Sequence, residues 1–178
     1  MQLQLSALLS LLTVALFAVP ALSVSITVYT SNSRCIGTSF TYLNVVPGRC
    51  ITNVPTGYGH SVSFQGLPLG SVGDGFVGPS CATRHLFELT AQGAGCWSSL
   101  SNGLRAGALS WQRFRRSGGL VEDGQTKGPA PSLFTYDDHT GVQNTIVVPA
   151  DDEDAAQKIA DLYEANDFEA LAKYEKGE

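Results

Sequence analysis

From Val24 to Phe114 the chain alternates apolar and small polar residues in short stretches separated by turn formers. Ser25-Ile26-Thr27-Val28-Tyr29, Phe40-Thr41-Tyr42-Leu43 and Ser61-Val62-Ser63-Phe64 each run with period two, the pattern of a strand with one face buried. Pro47-Gly48 and Gly93-Ala94-Gly95 read as turns ahead of Cys50 and Cys96. The stretch from Leu67 to Gly75 reads as a breaker-rich link, with Asp74 as a turn former. Further on, Leu133-Phe134-Thr135-Tyr136 and Thr145-Ile146-Val147-Val148 predict a hairpin turning at Asp137-Asp138-His139-Thr140-Gly141. After Pro149 the period becomes helical. Ala155, Ile159, Leu162 and Tyr163 fall on one face, behind the acids Asp151 to Asp154 that suit a helix start. Asn166 with Glu169 fits a capping box opening a second short helix through Leu171 and Tyr174.

The cysteines repeat. Cys35 and Cys50 lie 15 positions apart (50−35), as do Cys81 and Cys96 (96−81). Each pair follows an aromatic residue, Tyr29 or Phe76, and precedes a similar run, Ser61 to Phe64 or Ala108 to Trp111. The repeats cover about 25–70 and 74–112. The expected fold is mainly β: a duplicated Greek-key-like β-sandwich with two disulfides, followed by a tail with a short hairpin and one or two helices. Three cysteine pairings are possible. The duplication favours Cys35–Cys50 and Cys81–Cys96, one bridge inside each repeat. Closing loops of that size restricts the unfolded chain by about 3 kcal/mol each.

The ends add a compartment. Leu3 to Ala21 is almost wholly apolar, and no charged side chain precedes Arg34. Residues 1–23 therefore read as a secretory signal, with Ala21 and Ser23 as small residues for cleavage, although the first five residues hold no Lys or Arg. The expected localisation is secreted, where paired cysteines persist. The net charge of −5 conceals two halves. From Val24 to Gly119 there are seven arginines against Asp74 and Glu88 (7−2 = +5); from Leu120 onward, four lysines against fourteen acids (4−14 = −10). The domain 24–116 should thus be basic and the tail 132–178 acidic, joined by a Gly/Pro linker over 117–131. Arg115-Arg116 resembles a dibasic site for kexin-type processing.

Tyr29, Cys35-Ile36-Gly37-Thr38-Ser39-Phe40, Pro47-Gly48-Arg49-Cys50 and Ser61-Val62-Ser63-Phe64 together resemble a βγ-crystallin-type motif. That motif sets an aromatic, a glycine in a folded hairpin and a structural serine into a Greek key. The stretch from Ser25 to Trp111 is also similar to small cysteine-containing secreted proteins of fungi, some with this fold. The second repeat departs from the motif, with Thr83 where Gly37 stands in the first. The family's calcium signature is absent, so the resemblance implies no calcium site here.

No G-x-S-x-G elbow, P-loop or C-x2-C pair occurs, the three histidines are scattered, and no metal or cofactor is expected. His60, His85, Glu88 and Arg84 are the residue types of a metal-independent ribonuclease: base, acid and phosphate-binding arginine. On a regular strand Arg84 and Glu88 share a face. Arg34, Arg49, Arg105, Arg113, Arg115 and Arg116 are the candidate binding residues, since guanidinium forks suit anions. Trp97 and Trp111 fit either sugar stacking or the core. The expected function is a secreted non-enzymatic binding or effector/toxin-like protein acting through its surface. Its target would be an anionic polymer, a membrane surface or a foreign protein, and nucleic acid only if the chain is a ribonuclease. The alternatives are a small secreted hydrolase and a structural protein whose tail is a pro-segment or folding aid.

Overall fold

A computed structural model describes residues 23–90, 93–100, 103–113 and 128–175. The signal segment through residue 22, including Ala21, lies outside these residues, as do Arg115, Arg116 and linker positions 117–127.

Among the described residues nine strands form two antiparallel sheets. They are β1 (Val24–Tyr29), β2 (Ser39–Val45), β3 (Ser61–Leu67), β4 (Ser71–Phe76), β5 (His85–Leu89), β6 (Gly93–Ser98), β7 (Ala108–Arg113), β8 (Leu133–Asp137) and β9 (Gln143–Val147). The larger sheet has the order β6-β3-β1-β2-β8-β9, and the smaller β5-β4-β7. Two helices follow, α1 (Ala155–Glu164) and α2 (Phe168–Glu175). The expected mainly β, sandwich-like fold with two disulfides and a helical end is what the chain adopts.

The duplication reappears in the strand register. In the first repeat β1 lies between β2 and β3, with Tyr29 opposite Ser39 and Ser61. In the second, β4 lies between β5 and β7, with Phe76 opposite His85 and Ala108. Tyr29 and Ser61 both map onto their counterparts by a shift of 47 (76−29, 108−61). The breaker-rich link proves shorter than expected, because Ser71 to Phe76 is the central strand of the small sheet. Glycine is needed there for close packing: a Cβ on Gly73 would meet the Phe64 ring at 2.7 Å, and one on Gly75 would collide with the Phe87 ring.

The repeats exchange one segment. β6 belongs to the second repeat by sequence but pairs with β3 in the large sheet, Trp97 opposite Val62. Its counterpart in the first repeat crosses the other way, Ile51 bridging Leu109 of β7. Each repeat's second cysteine therefore sits beside the other repeat. The bridges are Cys35–Cys96 and Cys50–Cys81, correcting the within-repeat pairing. They close separations of 61 and 31 residues, which restrict the unfolded chain by about 4 kcal/mol each. Gly93-Ala94-Gly95, expected as a turn, lies inside β6.

The tail is built into the core. The β8–β9 hairpin extends the large sheet beyond β2, Phe134 opposite Phe40. Three strands do not cover six, and α1 and α2 complete the second layer. Ile159 and Leu171 are fully buried, and the Tyr163 ring meets Phe134 at 5.8 Å and Phe168 at 6.1 Å. Thr38 Oγ1 donates to Tyr163 Oη (2.9 Å), and the Thr56 amide donates to Gln157 Oε1 (3.0 Å). The predicted helix cap shifts by one residue. Asn166 takes a left-handed φ of 59° after α1, and Asp167 Oδ1 accepts from the Ala170 amide (3.0 Å). Trp111 is buried and donates from Nε1 to Val45 O (2.7 Å), while the Trp97 ring stacks on Phe87 at 4.3 Å. Both tryptophans therefore serve packing.

Candidate functional site

Each repeat turns the odd-numbered or even-numbered half of its central strand outward, and the two outer faces differ chemically. On β1, Val24, Ile26 and Val28 face the core while Ser25, Thr27 and Tyr29 point to the opposite face, Thr27 itself largely buried at its middle. The chain between β1 and β2 folds over this face. Gly37 makes that fold with φ +87°, where a side chain would be strained. Ser61 Oγ donates to Arg34 O within the fold (2.7 Å), and the Cys35–Cys96 bridge fastens it to β6. An open groove of about 530 Å³ lies alongside. Its floor is Thr27 and Tyr29 of β1 with Ser39 and Thr41 of β2, and Gln65 and Gln143 stand at its sides. Among the described residues no charged side chain lines it. Thr27 Oγ1 and Thr41 Oγ1 are 3.0 Å apart across the strands.

On the smaller sheet the equivalent positions carry ionisable groups. Asp74 occupies the place of Thr27 and stands opposite Glu88, which occupies the place of Thr41. The Asp74 carboxylate is buried. It lies 3.0 Å from His85 Nε2, and Gln112 Nε2 donates to its other oxygen at 3.5 Å. A bulge brings His85 there. Phe76 pairs with His85 and Gly75 with Phe87, so Leu86 is the extra residue. Without that bulge His85 and Glu88 would point to opposite faces. The ligand atoms of Asp74, His85 and Glu88 all lie within 4.8 Å of one another. One nitrogen and two carboxylates so placed can donate to a single divalent cation or relay a proton. Like charges directly opposite on neighbouring strands repel, and the hydrogen bond from His85 offsets part of that repulsion.

The predicted catalytic set is only partly assembled. His85 and Glu88 come together, joined by Asp74, which had read as a turn former. His60 lies ahead of β3 at the large sheet, its amide donating to Tyr29 O (3.1 Å). Arg84 precedes β5, exposed, its carbonyl accepting from the Val77 amide (3.0 Å). Of the candidate binding arginines, Arg115 and Arg116 lie outside the described residues. Arg105 is occupied structurally, donating from Nη1 to Pro55 O and Tyr58 O, both at 3.1 Å. Arg34 and Arg113 are exposed and Arg49 is half-buried. The groove itself escaped the sequence reading. Its signal was present in the uncharged outward positions Ser25, Thr27, Tyr29, Ser39 and Thr41.

Among the described residues no helix is long and apolar enough to cross a membrane. The two disulfides fit an extracellular or otherwise oxidising environment. No curated protein matches the chain, and no solved structure does. Residues 25–132 match the family model described as the ARB_05566_N N-terminal domain, a match that ends one residue before β8. That stretch is 108 of 178 residues (132−25+1), and the chain belongs to this family.

Proposed function

We propose that the chain is a secreted, non-enzymatic binding protein of the effector type, acting through the outer surface of its disulfide-pinned sandwich. The observation that carries this reading is the groove on the large sheet. A rigid floor and a hairpin fastened by Cys35–Cys96 form a preshaped surface, which lowers the ordering cost of binding. The apolar leader supports secretion, and the crossed bridges suit an oxidising compartment. The resemblance to crystallin-like secreted proteins draws support from the left-handed Gly37 and from the Ser61 bond to the folded hairpin.

The hydrolase is the second reading, and the Asp74–His85–Glu88 cluster favours it. Histidine polarised by a buried carboxylate beside a second acid is the equipment of acid–base chemistry. His85→Ala and Glu88→Ala separate the two readings. The binding reading expects both variants to keep full biological activity and to match the wild type in RNA-cleavage assays. Loss of activity in both, with loss of RNA cleavage, would establish the hydrolase instead.

A further inference from the structure

We infer that the groove on the large sheet binds a neutral polysaccharide, laid along β1 and β2. This rests on the binding reading above and names its ligand class. Three observations carry it. The first is charge. Among the described residues no ionic side chain lines the groove, so a phosphate, sulfate or carboxylate entering it would lose water without gaining a cation there.

The second is the kind of hydrogen-bonding group present. The floor and sides offer hydroxyls and amides, which both donate and accept. Thr27 and Thr41 bond to each other at 3.0 Å, as do Tyr29 Oη and Ser63 Oγ at 3.4 Å. One shared proton leaves the other hydroxyl of each pair with a hydrogen still to give, and both keep lone pairs. Sugar hydroxyls, themselves donors and acceptors, are the complement of such a surface; a carboxylate, which only accepts, is not. The third is the apolar component. Tyr29, Ile36, Leu43 and Leu133 lie along the same groove, and sugar rings present C–H faces to such side chains.

The contrast between the repeats narrows the ligand to this face. The fold accepts carboxylates at the equivalent positions Asp74 and Glu88 of the other sheet, so the hydroxyls at Thr27 and Thr41 are not imposed by the architecture.

The test uses the full secreted protein in pull-down assays with insoluble chitin, cellulose and β-1,3-glucan, and with an anionic polygalacturonate as counter-probe. The wild type should sediment with at least one neutral polymer and do so independently of salt. Thr27→Val with Thr41→Val keeps the shape and removes the hydroxyls. It should weaken sedimentation by about tenfold with an unchanged melting curve. Thr90→Val, exposed just after β5 of the smaller sheet, should leave binding intact. Salt-sensitive retention by polygalacturonate alone would overturn the neutral ligand and leave the binding reading standing. Retention by no polymer, together with His85-dependent cleavage of RNA, would overturn both.

Discussion

The two repeats of this protein share one strand pairing, apart from the bulge at Leu86, yet they differ inside the core, on the outer faces and at the sheet edge. Inside, the central strand of the first repeat presents Ile26 and Val28, and that of the second presents Gly73 and Gly75. The missing volume is supplied by the rings of Phe64 and Phe87. Outside, Thr27 and Thr41 become Asp74 and Glu88. At the sheet edge, β2 receives the β8–β9 hairpin, whereas β5 receives no further strand among the described residues. At these inner positions the loss of side-chain volume is matched by neighbouring rings. Outer positions are free to diverge, and there the two faces acquired separate chemistries.

The edge extension makes the largest prediction. Phe134 is fully buried between the first repeat and the tail, 4.7 Å from the Phe40 ring. Phe134→Ala should cost about 3–5 kcal/mol, measured by urea unfolding. A loss near zero would mean that the tail is an appendage. The exchange of segments comes next. Cys50→Ser with Cys81→Ser should cost about 2–5 kcal/mol, and a similar loss is expected for Cys35 with Cys96, since the two bridges are equivalent by duplication. Unequal losses would show that only one bridge spans a structured contact.

Smaller effects sharpen the inner and outer contrasts. Gly75→Ala should destabilise by about 1–3 kcal/mol through overpacking against Phe87. Phe87→Leu should recover part of that loss if the ring is the obstacle. Ser61→Ala should cost about 1 kcal/mol by leaving Arg34 O without its buried donor, although the second repeat already carries Ala108 at the equivalent place. The smallest effect concerns pH. Bonds from Thr140, Val142 and Asn144 hold the Asp138 carboxyl at about 2, below its ordinary 3.8. A lowered folded value means a contribution present above pH 4 and lost as the pH falls toward 2. Asp138→Asn should flatten the melting temperature over that window.

Much of this architecture is legible in the residues. Alternation located β1, β2, β3, β8 and β9, and helical spacing located α1. The doubled cysteine spacing revealed the duplication that the register reproduces. What escaped was non-local. No property of the cysteine spacing records that β6 and the Ile51 segment change sheets, so the pairing inside each repeat looked natural. Gly73-Asp74-Gly75 has turn composition, and its glycines prove necessary only beside rings from Phe64 and Phe87. The bulge at Leu86 moves His85 onto the face of Glu88, which an alternating count cannot show. The charge boundary suggested a separable tail, whereas Ile159 and Leu171 lie in the same core as Ile26 and Phe40.

The exchange of segments between repeats is the central claim, because it fixes both bridges and holds the folded hairpin over the groove. Tryptic mapping of the unreduced protein tests it directly, since cleavage after Arg34, Arg49, Arg84 and Arg105 places Cys35, the pair Cys50 and Cys81, and Cys96 on three separate peptides. Crossed bridges predict that the peptide 35–49 is linked to 85–105, and that 50–84 is separate, with Cys50 joined to Cys81 inside it. A single species linking all three peptides would contradict the exchange, because it requires either Cys35–Cys50 with Cys81–Cys96 or Cys35–Cys81 with Cys50–Cys96.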